Sequence, residues 1–257
     1  MKKRYIVIII VIAVYFIVLF LLYGKDNLKQ SKLKTTLIIE NSSVWQLENN
    51  KWTNMNKNAN ITDLNWEEFN ILIDNKNIGK YNVVYDNKWY IFDSKRKPYN
   101  YDGTFLAYRA NYDMKVKDFT KESITDFTYV NKVLKENNLS LNQELTVSNY
   151  IKTDIDNDNQ EETFYFISNA FPMETAPKNI FSIVFMEKND IIYPIYKSIE
   201  QNKGLNGCKP YISAIIDVDE DNKYEFVLSC SKYSVETPID MLYKLKNKEF
   251  RIIVSNQ

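Results

Sequence analysis

No histidine occurs in the 257 residues of this chain. Its absence removes Ser-His-Asp and Cys-His nucleophile systems, HExxH zinc sites and most imidazole acid–base chemistry. No sign of charge predominates either: 33 basic side chains stand against 33 acidic ones. The broad positive field that nucleic-acid binding exploits is therefore missing, and no nucleic-acid partner is expected. Glycine is scarce, at five, while Asn, Lys, Ile and Tyr abound. That bias takes weight off any single asparagine. Only two cysteines are present, Cys208 and Cys230.

What the chain does have is apolar material. Hydrophobic residues make up 45% and aromatics 14%, enough for a sizeable core. The longest apolar run is Ile6–Tyr23, IVIIIVIAVYFIVLFLLY, without a charge. At ~1.5 Å per helical residue it nearly crosses a hydrocarbon layer of ~30 Å, and Tyr5 and Tyr23 suit the two interfaces. The exit, Leu-Leu-Tyr-Gly, lacks the small-residue pattern of a cleaved signal peptide, and no cysteine follows that could take a lipid. A transmembrane helix acting as a single-pass signal anchor is expected. Lysines flank it on both sides, so charge alone does not orient it. The expected arrangement is N-terminus inside and C-terminal domain extracytoplasmic, at the cell membrane.

The expected fold is mostly β: an antiparallel ectodomain of repeated four-strand meanders, propeller-like or β-sandwich-like, with one intervening helix. Residues 1–24 form the tail and anchor, 25–34 a lysine-bearing stalk, and 35–119 an N-terminal β portion. There, Leu37–Leu47 and Lys51–Met55 flank the turn Glu48-Asn49-Asn50, and Tyr81–Tyr85 and Lys88–Phe92 flank Asp86-Asn87. Thr104–Arg109 and Met114–Val116 read as further strands. Trp45 and Trp52, either side of the first turn, suit core packing or, less often, a stacking platform for sugars. Residues 120–140 hold the linking helix, with Ser123-Ile-Thr-Asp126 resembling a capping box before Ile124, Phe127, Val130 and Leu134 at helical spacing.

Residues 141–257 contain a repeat. Val147–Thr153, Thr163–Ser168, Ile180–Met186 and Ile191–Tyr196 are followed by Tyr211–Ile216, Phe226–Cys230, Met241–Leu245 and Phe250–Val254. Each set forms a four-strand meander, a spacing that suits stacked or blade-like modules. An acidic loop joins the first two strands of each. Asp154-Ile-Asp156-Asn-Asp158-Asn159-Gln160-Glu-Glu162 and Asp217-Val-Asp219-Glu-Asp221-Asn222-Lys223-Tyr-Glu225 agree at positions one, three, five, six and nine. Carboxylates at this density repel one another unless a cation lies among them, and Ca²⁺ takes six to eight oxygens from such loops. Asp154, Asp156, Asp158 and Glu162 would hold one ion, and Asp217, Asp219, Asp221 and Glu225 another. The backbone carbonyls of Gln160 and Lys223 would add an oxygen each. Asn159 and Asn222 suit a left-handed turn. An EF-hand is excluded, because strands rather than helices flank the loops and Glu falls at position nine.

The loops and their flanking strands, roughly 147–170 and 211–230, resemble the cation loops of FG-GAP repeats, the β-propeller blades of integrin α subunits and many bacterial surface proteins. That resemblance implies the same four carboxylates of each loop as Ca²⁺ ligands. Asn stands at position six where that family usually has Gly, and a chain of this length is too short for a seven-bladed ring.

Cys208 and Cys230 each lie eleven residues from Asp219. In a hairpin centred there they would sit opposite one another, either bridged or as two buried thiols. A bridge would imply an oxidising exterior. Extracellular modules typically hold Ca²⁺ at ~10⁻⁴–10⁻³ M, which also suits an outside location. The leading expectation is a membrane-tethered calcium-binding β domain that contacts a protein or glycan partner outside the cell, as an adhesion or envelope-interaction module. One alternative is a carboxylate-dependent envelope enzyme such as a glycoside hydrolase. The other is structural calcium only, with a partner site in the Trp-bearing N-terminal half.

Overall fold

Alternation along the strands explains the architecture. In β13 (Cys208–Ile216), Ile212 and Ile215 face one apolar cluster and Ala214 and Ile216 another. In β14 (Glu225–Lys232), Phe226, Leu228 and Cys230 face the first and Val227 the second. A strand apolar on both faces is buried on both, so these strands belong to a middle layer.

The computed structural model describes residues 35–40, 43–49, 51–56, 61–110, 112–141, 144–170, 179–200, 207–232 and 238–256. The expected span Ile6–Tyr23, the tail and the stalk lie outside the described residues. Among those described, no helix is long and apolar enough to cross a membrane.

Antiparallel strands form three sheets. The first has seven strands in the order β3-β2-β1-β7-β4-β5-β6. They are β1 (Thr35–Ile39), β2 (Ser43–Glu48), β3 (Lys51–Asn54), β4 (Glu68–Ile73), β5 (Lys76–Asp86), β6 (Lys88–Phe92) and β7 (Phe105–Arg109). The second is a five-stranded sheet of β8 (Lys121–Ser123), β9 (Val147–Thr153), β10 (Glu162–Ser168), β11 (Ile180–Lys188) and β12 (Ile191–Glu200), in sequence order from one edge. The third is a meander of β13, β14, β15 (Ile239–Lys246) and β16 (Glu249–Ser255).

The four-stranded sheet lies between the other two. One of its faces packs Phe226, Leu228 and Tyr243 against Phe164, Phe166 and Met186 of the five-stranded sheet. The other packs Val227 and Leu242 against Leu37, Trp45 and Leu106 of the seven-stranded sheet. Both outer faces are covered as well. The helix α1 (Thr128–Glu136) lays Val130, Val133 and Leu134 on Ile167, Phe181, Ile183 and Phe185. Leu64 and the aromatics around Tyr99 and Tyr101 close the far side of the seven-stranded sheet over Phe69, Val83 and Ile91.

Several expectations change in detail. The run Leu37–Leu47 is two strands, because the chain turns back after Glu40 and β1 and β2 pair with each other. Met114–Val116 is no strand; Val116 makes one isolated bridge to Ile216. The helix starts at Thr128, since Lys121–Ser123 pairs with β9 as an edge strand. Ser123 therefore cannot cap it, and Asp126 does part of that work, accepting from Thr128 N at 2.9 Å and Thr128 Oγ1 at 2.7 Å. Trp45 is fully buried and Trp52 packs against the same cluster, so this pair serves the core.

Candidate metal centres

Each acidic loop links the first two strands of a meander: residues 154–161 join β9 to β10, and 217–224 join β13 to β14. Their backbones match beyond the acids. Positions four and six are left-handed in both, at Asn157 (φ 60°) and Asn159 (φ 67°), and at Glu220 (φ 62°) and Asn222 (φ 62°). Such curling turns successive N–H groups inward, onto the first aspartate. Asp154 Oδ1 accepts from Asp158 N and its Oδ2 from Asn159 N, both at 3.1 Å. Asp217 Oδ2 accepts from Asn222 N at 3.1 Å. The last glutamate closes each loop from within: Glu162 Oε2 accepts from Ile155 N at 2.8 Å, and Glu225 Oε2 from Val218 N at 3.0 Å.

These folds gather Asp154, Asp156 and Glu162 in one loop, and Asp217, Asp219 and Glu225 in the other, with one oxygen of each residue within 4.8 Å of the rest. Both sets could hold a metal ion. Asp158 and Asp221 stand outside these triplets. Each turns one oxygen back to the backbone, to Gln160 N and Lys223 N respectively, at 2.9 Å.

A lysine lies in each cluster, and sequence reading missed both. Lys188 Nζ contacts Asp156 at 3.0 and 3.2 Å, Asp158 at 2.6 Å, and Glu162. Lys244 Nζ lies 2.6 Å from Asp219, 2.8 Å from Asp221 and 2.9 Å from Glu225 Oε1. The last contact pairs the ammonium with a fully buried oxygen. The two lysines are structural equivalents. One residue beyond the paired Thr163 and Glu187, Lys188 stands across from Glu162; one residue beyond Phe226 and Tyr243, Lys244 stands across from Glu225. The segment 112–118 adds two more. Lys117 Nζ is 4.0 Å from Asp154 Oδ2, and Lys115 Nζ donates to Asn222 Oδ1 at 2.5 Å. That segment is fixed by Asp217 N to Lys115 O and Lys117 N to Ile215 O, both 2.9 Å, and by Tyr112 Oη to Val218 O. The loops also touch each other, through Tyr224 N to Ile155 O at 2.8 Å.

Electrostatics follow from burial. Desolvation pushes Glu225 up to about 7, against the opposing pull of Val218 N–H and Lys244. Glu162 rises for the same reason. Burial works against the charge on Lys188 and Lys244, yet the surrounding carboxylates outweigh it and hold both ammonium groups firmly charged. Lys188 holds Asp158 below the usual carboxylate range; for Asp221, burial opposes the same fall, and Lys244 prevails.

Cys208 and Cys230 form a disulfide, with Cα atoms 5.3 Å apart. They are not directly opposed. The hairpin turns about Glu220–Asp221 and carries a bulge between Ile212 and Ala214, so Cys208 pairs with Lys232 and Cys230 with Pro210.

No protein-family model, curated protein or solved structure matches the chain.

Proposed function

We propose that the chain is an extracytoplasmic calcium-binding β domain, tethered by its N-terminal apolar run, in which Ca²⁺ stiffens the sheet ends for contact with a protein or glycan partner. The observation that carries this reading is Asp217. The residue is 3% exposed, yet Oδ1 has no hydrogen-bond partner among the described residues. A buried carboxylate oxygen left unpaired costs about 1–3 kcal/mol or more, and a hard divalent cation beside Asp219 and Glu225 would remove that cost. The buried disulfide supports an oxidising exterior. The family likeness to FG-GAP repeats supports the ligand set, and the face-to-face packing of two meanders is compatible with blade-like modules.

A second reading has its own observation. Lys188 and Lys244 each meet three carboxylates, so the ammonium groups themselves could serve as the structural cations, with no metal. Thermal melts of the full-length chain separate the two. Calcium binding to the native state raises Tm with concentration, by linkage, and Asp217→Ala with Asp219→Ala largely removes the rise. A melt that is the same in EDTA and in millimolar Ca²⁺ leaves the lysine reading standing and ends the calcium one.

A further inference from the structure

Resting on the calcium reading, we infer that the chain binds one divalent cation, at the Asp217 loop, and that the Asp154 loop is a copy closed by its own lysines.

The loops have the same acids and almost the same backbone, so what distinguishes them is which oxygens remain free. In the Asp154 loop both oxygens of the first aspartate accept backbone N–H groups, and Lys117 stands 4.0 Å away. In the Asp217 loop only Oδ2 is engaged. Oδ1 is buried and has no hydrogen-bond partner, and the nearby Lys115 donates to Asn222. The first aspartate therefore offers a wholly free oxygen in one loop, and in the other only oxygens that each already accept an N–H.

The lysines differ in grip. Lys188 takes both oxygens of Asp156 as well as Asp158 and Glu162. Lys244 takes one oxygen each from Asp219, Asp221 and Glu225, three contacts against four. Lys244 is also the more exposed, at 21% against 15%, as is Asp219 at 39% against 25% for Asp156. For an ion to enter, the ammonium must swing out on its flexible stem into water. Lys244 has fewer bonds to break and an open route, and its departure leaves Asp217 Oδ1, Asp219 and Glu225 around the ion. Lys188 gives up four contacts, and an ion replacing it would share both Asp154 oxygens with backbone N–H groups.

Equilibrium dialysis of the full-length chain against radioactive calcium, carried to saturation at neutral pH, tests the inference. The expected result is one ion per chain. Asp217→Asn should weaken binding by about tenfold or more, and Asp154→Asn by no more than about twofold. Lys188→Met should raise the count to two. Two ions in the wild type, or a single ion lost with Asp154→Asn and kept with Asp217→Asn, overturns the one-site assignment and leaves the calcium reading intact. No bound calcium at any concentration overturns the calcium reading, and the assignment with it.

Discussion

The two acidic loops place the same side chains on nearly the same backbone, and they differ in whether the first aspartate is fully engaged. Asp154 receives two backbone N–H groups and a lysine at 4.0 Å; Asp217 receives one N–H and keeps a buried oxygen free. Duplicated loops thus need not have duplicate chemistry. Four carboxylates attract any cation, and the identity of that cation depends on how many of their oxygens the protein has already used.

Removing the lysines should show the largest effect, because each loop buries a glutamate against one. Glu162 and Glu225 are fully buried. In EDTA, Lys188→Met and Lys244→Met should each lose about 3 kcal/mol in urea unfolding, the scale for breaking a buried pair by deleting one partner. Calcium should then recover more stability in either variant than it adds to the wild type, since the ion no longer competes with an ammonium. A loss under about 1 kcal/mol would class these contacts with ordinary surface ion pairs and remove the lysines from the account of the loops.

The acids were legible in the sequence because they are contiguous: one turn brings Asp154, Asp156 and Glu162 together. The lysines were not, because they are neighbours only across a ladder. Lys188 follows Glu162 by 26 residues (162 to 188) and Lys244 follows Glu225 by 19 (225 to 244), as the connections between the second and third strands differ in length. No fixed spacing marks them, although their register is the same in both meanders. Several strands of the repeat half could be read closely, since they are bounded by turns with left-handed residues such as Asn189 and Asn247. The N-terminal half was harder. Leu37–Leu47 reads as one run only when the polar cluster Glu40-Asn41-Ser42-Ser43, a turn signal, is passed over, and β4 is hard to see because EFNILI is short and irregularly patterned. The stacking order of the sheets is a matter of which apolar face meets which, and composition alone carries no such partner information.

An effect of similar size should appear with pH. Glu225 titrates near 7 in the folded protein because it is desolvated, against an ordinary value of 4.5. The native state therefore holds this proton more tightly than the unfolded chain does. The resulting stability is fully present below about 4.5 and is lost as pH rises through about 7. Asp158 and Asp221, shifted downward, have the opposite sign, but their contribution changes at lower pH and leaves this window clear. In EDTA, the wild type minus Glu225→Gln should show a decline of about 3 kcal/mol between the two limits, from a rise of 4.5 to about 7 at ~1.4 kcal/mol per pH unit. The corresponding difference for Glu162→Gln should be of the same sign. A flat difference for Glu225→Gln would mean that Lys244 keeps the carboxylate charged despite burial.

The smallest expected difference lies at position four of the loops. Both copies are left-handed there, at Asn157 and Glu220. Asparagine tolerates that conformation through local hydrogen bonding, whereas a glutamate crowds its Cβ against the following carbonyl at a cost of roughly 1–2 kcal/mol. Glycine would relieve this crowding but has more freedom to lose from the unfolded chain. Glu220→Gly should therefore stabilise by about 0.5 kcal/mol, while Asn157→Gly should change little. Both variants can be compared by urea unfolding in EDTA, where neither substitution removes a carboxylate of the two clustered triplets. If Glu220→Gly instead destabilises, its side chain has a role in holding the more open loop, and the strain at that position is part of keeping Asp217 Oδ1 free.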